Sequence, residues 1–234
     1  MTAKLADGGQ MLSWVKLPVA WIRDYGLADF RWAKGGGGRE TAALMVLAVI
    51  AHHAPDGVAK VSYDALTEKL GISRALVSAG LNILVSRGII ERGSRQSTYA
   101  LANYTANANW AKLPAKALYG GGVLQCFKTF KLRSKVELDA LKLYFLFAAL
   151  RDNDLNAAQV GYDKIEVWTG VRREGIAAAI SLLVVSNLVR VENAISPSAS
   201  TSKGEAVTFN RYRLTHLDSY NHAGTSGRAA PELA

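Results

Sequence analysis

Two arginines, Arg74 and Arg173, lie 99 residues apart in matching surroundings. Each stands three positions after a glycine, in Gly71-Ile72-Ser73-Arg74 and Gly170-Val171-Arg172-Arg173, and apolar residues at helical spacing follow both. A guanidinium holds its donors in a rigid fork. It can bond bidentately to a guanine edge, and an asparagine such as Asn82 can do the same to adenine. Other chemistry is poorly supplied. His52 and His53 are adjacent, so on a helix they would point roughly 100° apart, and no acidic partner stands at ligand spacing. No nucleophile elbow, zinc-binding helix or paired-carboxylate pattern occurs. The glycine run Gly35 to Gly38 is flanked by Arg31, Lys34 and Arg39, but it lacks the Gly-x4-Gly-Lys-Ser/Thr form of a nucleotide loop. Cys126 is the only cysteine, which excludes an internal disulfide and a cysteine zinc set. The residues point to recognition of a partner. Neither catalysis nor a cofactor or metal is expected.

Charge indicates the kind of partner. The net charge is +9, and both halves share it: residues 1–109 carry 12 Lys and Arg against 8 Asp and Glu, residues 110–234 carry 16 against 11. A basic surface on each half suits a polyanion. Half of the residues are hydrophobic, enough for a globular core. The apolar stretches 42–51 and 143–150 fall short of the ~20 residues of a membrane helix, so no membrane partner is expected. The first residues show no apolar leader. With one cysteine, the expected location is the cytoplasm.

The arginines belong to a longer repeat. Val61-Ser62-Tyr63-Asp64-Ala65-Leu66 returns as Val160-Gly161-Tyr162-Asp163-Lys164-Ile165, Ile83-Leu84 as Leu182-Leu183, and Ile89-Ile90 as Leu188-Val189. At nearly the same offset, Trp14-Val15-Lys16-Leu17-Pro18 returns as Trp110-Ala111-Lys112-Leu113-Pro114. Such self-similarity means two copies of one structural unit. Each copy predicts a long helix, over 40–53 and 136–151. Both are apolar nearly all round, and so buried in the core or at a subunit contact. A second helix follows over 63–70 and 162–169, with Gly71 and Gly170 placed for a left-handed cap. Ser73 suits the N-cap of a third helix running to about Arg87; Arg172 is a poorer cap. Tyr63, Tyr162, Asp64 and Asp163 open the second helices, where an acid favours the dipole. Hairpins then pair 89–92 with 98–101, and 188–192 with 206–214. The glycine runs Gly35 to Gly38 and Gly120 to Gly122 read as surface loops, the Ser/Pro-rich stretch 196–204 as a mobile loop, and the tail beyond 219 as disordered.

Helix, glycine turn, helix and hairpin, in register twice, predict a mainly α fold with small β wings: two tandem winged helix-turn-helix domains, 12–105 and 106–218, followed by a flexible tail 219–234. In such a domain the third helix enters the major groove. Its outward positions are Arg74, Ala75, Ser78 and Asn82 in the first copy, and Arg172, Arg173, Glu174, Ala177 and Ser181 in the second. Arg92, Arg95 and Lys203, with Arg211 and Arg213 on the returning strand, would meet phosphates or the minor groove. Lys128, Lys131, Arg133 and Lys135 form a further basic patch, either a backbone contact or a soluble face.

Two such units in one chain, each led in by an aromatic-x-Lys-Leu-Pro stretch, resemble the tandem winged-helix replication initiators of bacterial plasmids, a group that overlaps with winged-helix transcriptional regulators. The resemblance covers residues 12–217 and is carried mostly by LDALKLYFLFAALRDND, YDKI and TGVRREGI between Leu138 and Val191. It implies a sequence-specific double-stranded DNA binder that controls replication or transcription of a plasmid or mobile element. Both copies would dock on DNA through Arg74 and Arg173 with the wings beside them, as a monomer or a homodimer. The alternative is a tandem winged-helix interaction subunit of a chromosome-organising complex, although a protein-clasping surface need not be basic.

Overall fold

Capping residues and apolar periodicity are local signals, and the chain obeys them. The computed structural model describes residues 10–33, 35–200 and 206–217. Its elements run β1 (Trp14–Pro18), α1 (Ala20–Arg23), α2 (Gly37–His52), β2 (Val58–Lys60), α3 (Tyr63–Leu70), α4 (Arg74–Ser86), β3 (Ile90–Arg92), β4 (Thr98–Leu101), β5 (Trp110–Pro114), β6 (Tyr119–Gly120), β7 (Val123–Leu124), α5 (Lys135–Ala149), β8 (Ala158–Gln159), α6 (Tyr162–Thr169), α7 (Arg173–Val185), β9 (Val189–Ser200) and β10 (Ala206–Leu214). The fold is thus mixed, helices with several small antiparallel sheets. One succession occurs twice: long helix, short strand, two helices, hairpin. The two three-stranded sheets share a topology, with strand order β2-β4-β3 and β8-β10-β9. Among the described residues no helix is long and apolar enough to cross a membrane.

The turn between the second and third helix of each half is built alike. Gly71 and Gly170 both take φ 65°, the left-handed cap that a side chain resists. Ser73 Oγ accepts from Leu76 N at 3.3 Å and starts α4, while Arg172 starts α7 with no side-chain cap. Two expected loops turn out otherwise. Gly37 and Gly38 form the first turn of α2. A Cβ on Gly37 would lie 2.2 Å from the Trp32 ring, and one on Gly38 2.7 Å from the Leu132 carbonyl, so close packing explains these glycines. Of the stretch expected to be a mobile loop over 196–204, the part up to Ser200 lies in β9 with Ser200 opposite Ala206, and 201–204 lie outside the described residues. Gly120 to Gly122 does lie in a hairpin turn, between β6 and β7, with φ 62° at Gly121 and 84° at Gly122. The tail expected to be disordered lies outside the described residues.

The repeated lead-ins do something their sequence does not announce: they pair with each other. β1 and β5 run antiparallel with Lys16 opposite Lys112, Trp14 opposite Pro114 and Pro18 opposite Trp110. Equal positions meet, so a local twofold axis passes between the two lysines. Trp14 and Trp110 stack at 5.9 Å, Lys16 Nζ lies 5.0 Å from the Trp110 ring, and Lys112 Nζ lies 4.7 Å from the Trp14 ring.

Beyond these strands each arm crosses to the opposite half. The 3-10 turn Gly26–Asp29 packs on α6, with the Tyr25 and Trp168 rings 5.4 Å apart. In return β7 packs on α3, and Lys69 Nζ lies 5.8 Å from the Tyr119 ring. The long helices α2 and α5 pack on each other as well as on α4 and α7. Their all-round apolar surfaces are therefore covered within one chain, and the two halves share one apolar core. Gly80 on α4 lets that helix approach α2: a Cβ there would lie 3.0 Å from Ala43 backbone atoms. Lys142, on α5, is buried beside Asp139, and burial pushes its ammonium down to about 8.

Candidate nucleic-acid interface

Arg74 is the first residue of α4, and Arg173 is the first of α7. The left-handed glycine turn folds each back over the start of the preceding helix. Arg74 Nη1 pairs with Asp64 Oδ1, and its guanidinium carbon stands 5.2 Å from the centre of the Tyr63 ring. Arg173 repeats this with Asp163 and, at 5.6 Å, with Tyr162. The Tyr-Asp pairs that open α3 and α6 therefore orient the arginines as well as favouring the helix dipoles. Both guanidiniums remain open to solvent, the side chains being 65% and 63% exposed, with the carboxylates more exposed still. An ion pair so wet is worth about 0–1 kcal/mol. Each arginine is thus aimed without being tied down, and can exchange its carboxylate for a better acceptor.

In the first half the hairpin closes on the third helix. Arg92 Nη2 donates to Asn82 Oδ1 at 2.7 Å. A cavity of about 350 Å³ lies between the hairpin and the heads of α3 and α4, lined by Tyr63, Arg74, Arg92, Arg95, Thr98 and Tyr99 among others. Arg74, Arg92 and Arg95 thus meet in one basic groove. Ser78 is half-buried on α4, one turn from Arg74, and Asn82 is exposed one turn further.

The second half has a cavity in the corresponding place, about 530 Å³, lined by Tyr162, Arg173, Gln159, Phe209, Asn210 and Tyr212. Among the described residues its lining holds one cation where the first groove holds three. Arg211 is half-buried with its guanidinium carbon 5.4 Å from the Phe209 ring. Arg172 and Ser181 are exposed on or beside α7. At the positions of Asn82 and Arg92 this half has Ser181 and Val191, so the helix–hairpin bridge is not repeated.

Some expected contacts are not brought together. Arg213, expected beside Arg211 as a phosphate contact, is half-buried and committed to partners within the chain. It donates to both Glu192 oxygens at 2.8 and 3.0 Å and to the Leu155 carbonyl at 2.9 Å, and this holds the Glu192 carboxyl below the usual carboxylate range. Lys135 pairs with Asp139. Lys128, Lys131 and Arg133 are exposed. Lys203 lies outside the described residues.

Two groups with reactive chemistry are sealed away. Burial pushes the Cys126 thiol up to about 12. His52 is buried with Nδ1 3.0 Å from the Tyr119 hydroxyl, and desolvation, helped by His53, pushes it down to about 3. Among the described residues no three His, Cys, Asp or Glu side chains gather as a metal set.

The pairing of Arg74 and Arg173 had a signal in the sequence: Tyr, Asp and Arg recur together at one offset. The Asn82–Arg92 bridge had none, because the hairpin's path decides it. No family model matches the chain, and neither a curated protein nor a solved structure matches it.

Proposed function

We propose that the chain is a sequence-specific double-stranded DNA-binding protein built of two tandem winged helix-turn-helix domains. In this reading α4 and α7 enter the major groove, and the β3–β4 and β9–β10 hairpins are the wings. One observation carries it: the same Tyr-Asp-Arg constellation stands at the head of the third helix in both halves, beside a hairpin, on a protein of net charge +9. Arg74 and Arg173 supply base contacts, with Ser78, Asn82, Arg172 and Ser181 along the same helices. Arg92, Arg95 and Arg211 supply phosphate contacts that position the duplex. The role proposed is control of replication or transcription of a plasmid or mobile element, as the resemblance implies. Neither catalysis nor a cofactor belongs to it.

The test is selection from random duplex DNA, followed by titration of the selected and scrambled duplexes at two salt concentrations. Wild type and the double variant Arg74→Ala/Arg173→Ala are compared. The expected result is tight binding to the selected sequence, falling steeply with salt, and reduced to the scrambled level in the variant. Failure to enrich any sequence, or selective binding untouched by the double substitution, would overturn this assignment of the reading helices.

A further inference from the structure

The outward face of α4, with Arg74, Ser78 and Asn82 one turn apart, does not end at Asn82. It opens into a second cavity, about 420 Å³, whose lining includes Arg31, Gly36, Arg39, Glu40, Ala79 and Asn82. Asn82 apart, the proposed interface uses none of the residues that line this cavity. Its charge is one-sided. The Glu40 carboxylate is already held by Arg87, which donates to its two oxygens at 2.7 and 3.0 Å. Among the described residues Arg31 makes only a long hydrogen bond, 3.5 Å, to the Ala28 carbonyl. Arg31 and Arg39 are both exposed at its rim.

The other half of the molecule shows what such a place takes. At the start of α5, Ser134 is the N-cap and Glu137 the third helical residue, and together they form a capping box. The Glu137 carboxylate gathers the backbone N–H groups of Lys131, Arg133 and Ser134 at 2.5, 2.9 and 3.1 Å. An anion thus sits at the head of that long helix, and the protein supplies it. At the head of α2 the N-cap is Gly36, with no side-chain cap, and the third helical residue is Arg39. Where α5 has Glu137, α2 has Arg39, and the first-turn acid of α2, Glu40, is the carboxylate already held by Arg87. An incoming anion would meet two guanidiniums and the positive end of a sixteen-residue helix.

We propose that this cavity seats a backbone phosphodiester of the bound DNA, next to the base pairs that Asn82 faces. The inference rests on the DNA-binding reading above. Arg31 and Arg39 would hold the phosphate, and the contact would belong to the first half alone. It adds affinity and register, and carries no sequence information.

Three proteins test it on the selected duplex: wild type, Arg31→Ala/Arg39→Ala and Arg39→Glu. Binding is measured across a salt series, then on duplexes carrying one neutral methylphosphonate at each position in turn. The double variant should lower the slope of log affinity against log salt by about 0.9, the value of one lost phosphate contact. Its loss should be equal on selected and scrambled DNA. One methylphosphonate position should weaken wild type and leave the double variant unaffected. Arg39→Glu, which adds a second carboxylate to the first turn of α2 beside Glu40, should bind DNA more weakly than wild type. An unchanged slope in the double variant, with wild type still binding selectively, overturns the phosphate seat and leaves the reading helices standing. Failure of wild type to bind any duplex overturns both.

Discussion

Arg74 and Arg173 gain their readiness from what holds them. A long side chain in water must lose rotamer freedom on binding, and the ion pair with the neighbouring carboxylate and the stack on the tyrosine ring remove part of that freedom beforehand. Replacing either arginine by alanine is expected to weaken binding to the selected duplex by about 1–3 kcal/mol and to relax the sequence preference at one base pair. Melting should barely move, since the pairs are exposed. Arg74→Lys should fare little better than Arg74→Ala in binding, because an ammonium cannot fork; titration of the three proteins checks this. His52 gives a pH prediction of definite sign. Its folded value, about 3, lies below the ordinary 6.5. As pH falls below about 6.5 the unfolded chain takes up a proton that the folded chain refuses, so stability declines at up to about 1.4 kcal/mol per pH unit until about pH 3. Urea unfolding at pH 7 and 4.5 should show the loss, and His52→Gln should flatten it. Residue types were legible in the sequence wherever they recurred. Partner choice was not, as Arg213 illustrates: only the fold brings Glu192 and the Leu155 carbonyl to its guanidinium.

Among the elements, those set by local chemistry were legible and those set by distant contact were not. The helices α3 and α6 lie where periodicity and the glycine caps put them, and α4 begins at the serine cap. The start of α2 was misread because glycine ordinarily disfavours a helix interior, while here the Trp32 ring and the Leu132 carbonyl demand it. The pairing of β1 with β5 had no local signal, since it joins strands 96 residues apart. Close approach also fixes the angle between α2 and α4. Gly80→Val should force Ala43 away and destabilise by about 1–3 kcal/mol, the range for overpacking a filled core. The equivalent small residue of the second half, Ala179, is fully buried, so Ala179→Leu should act in the same sense. Denaturant midpoints measure both.

At the scale of the whole molecule, the crossed arms make the halves dependent on each other. The turn after β1 covers α6, and β7 covers α3. Residues 12–105 alone would leave α3 and the apolar surface of α2 bare. That fragment is expected to be unfolded or aggregated, and the intact chain to unfold in a single transition by circular dichroism and by fluorescence. Two resolved transitions would show that the halves are independent. The contacts of the two halves match in pairs, α2 on α4 and α5 on α7, the first arm on α6 and the second on α3, so the selected DNA should contain two half-sites in inverted orientation. Moving those half-sites half a helical turn apart should abolish tight binding.

The local twofold axis between Lys16 and Lys112 is only approximate. Among the described residues, one groove gathers Arg74, Arg92 and Arg95, and its counterpart is lined by Arg173 and aromatic rings. One long helix has an arginine as its third residue where the other has a glutamate. A dimer of identical subunits on a palindrome has no front or back. This chain has both. Bound to its site it would point in one direction along the duplex, so that a neighbour arriving from the left and one arriving from the right would meet different surfaces.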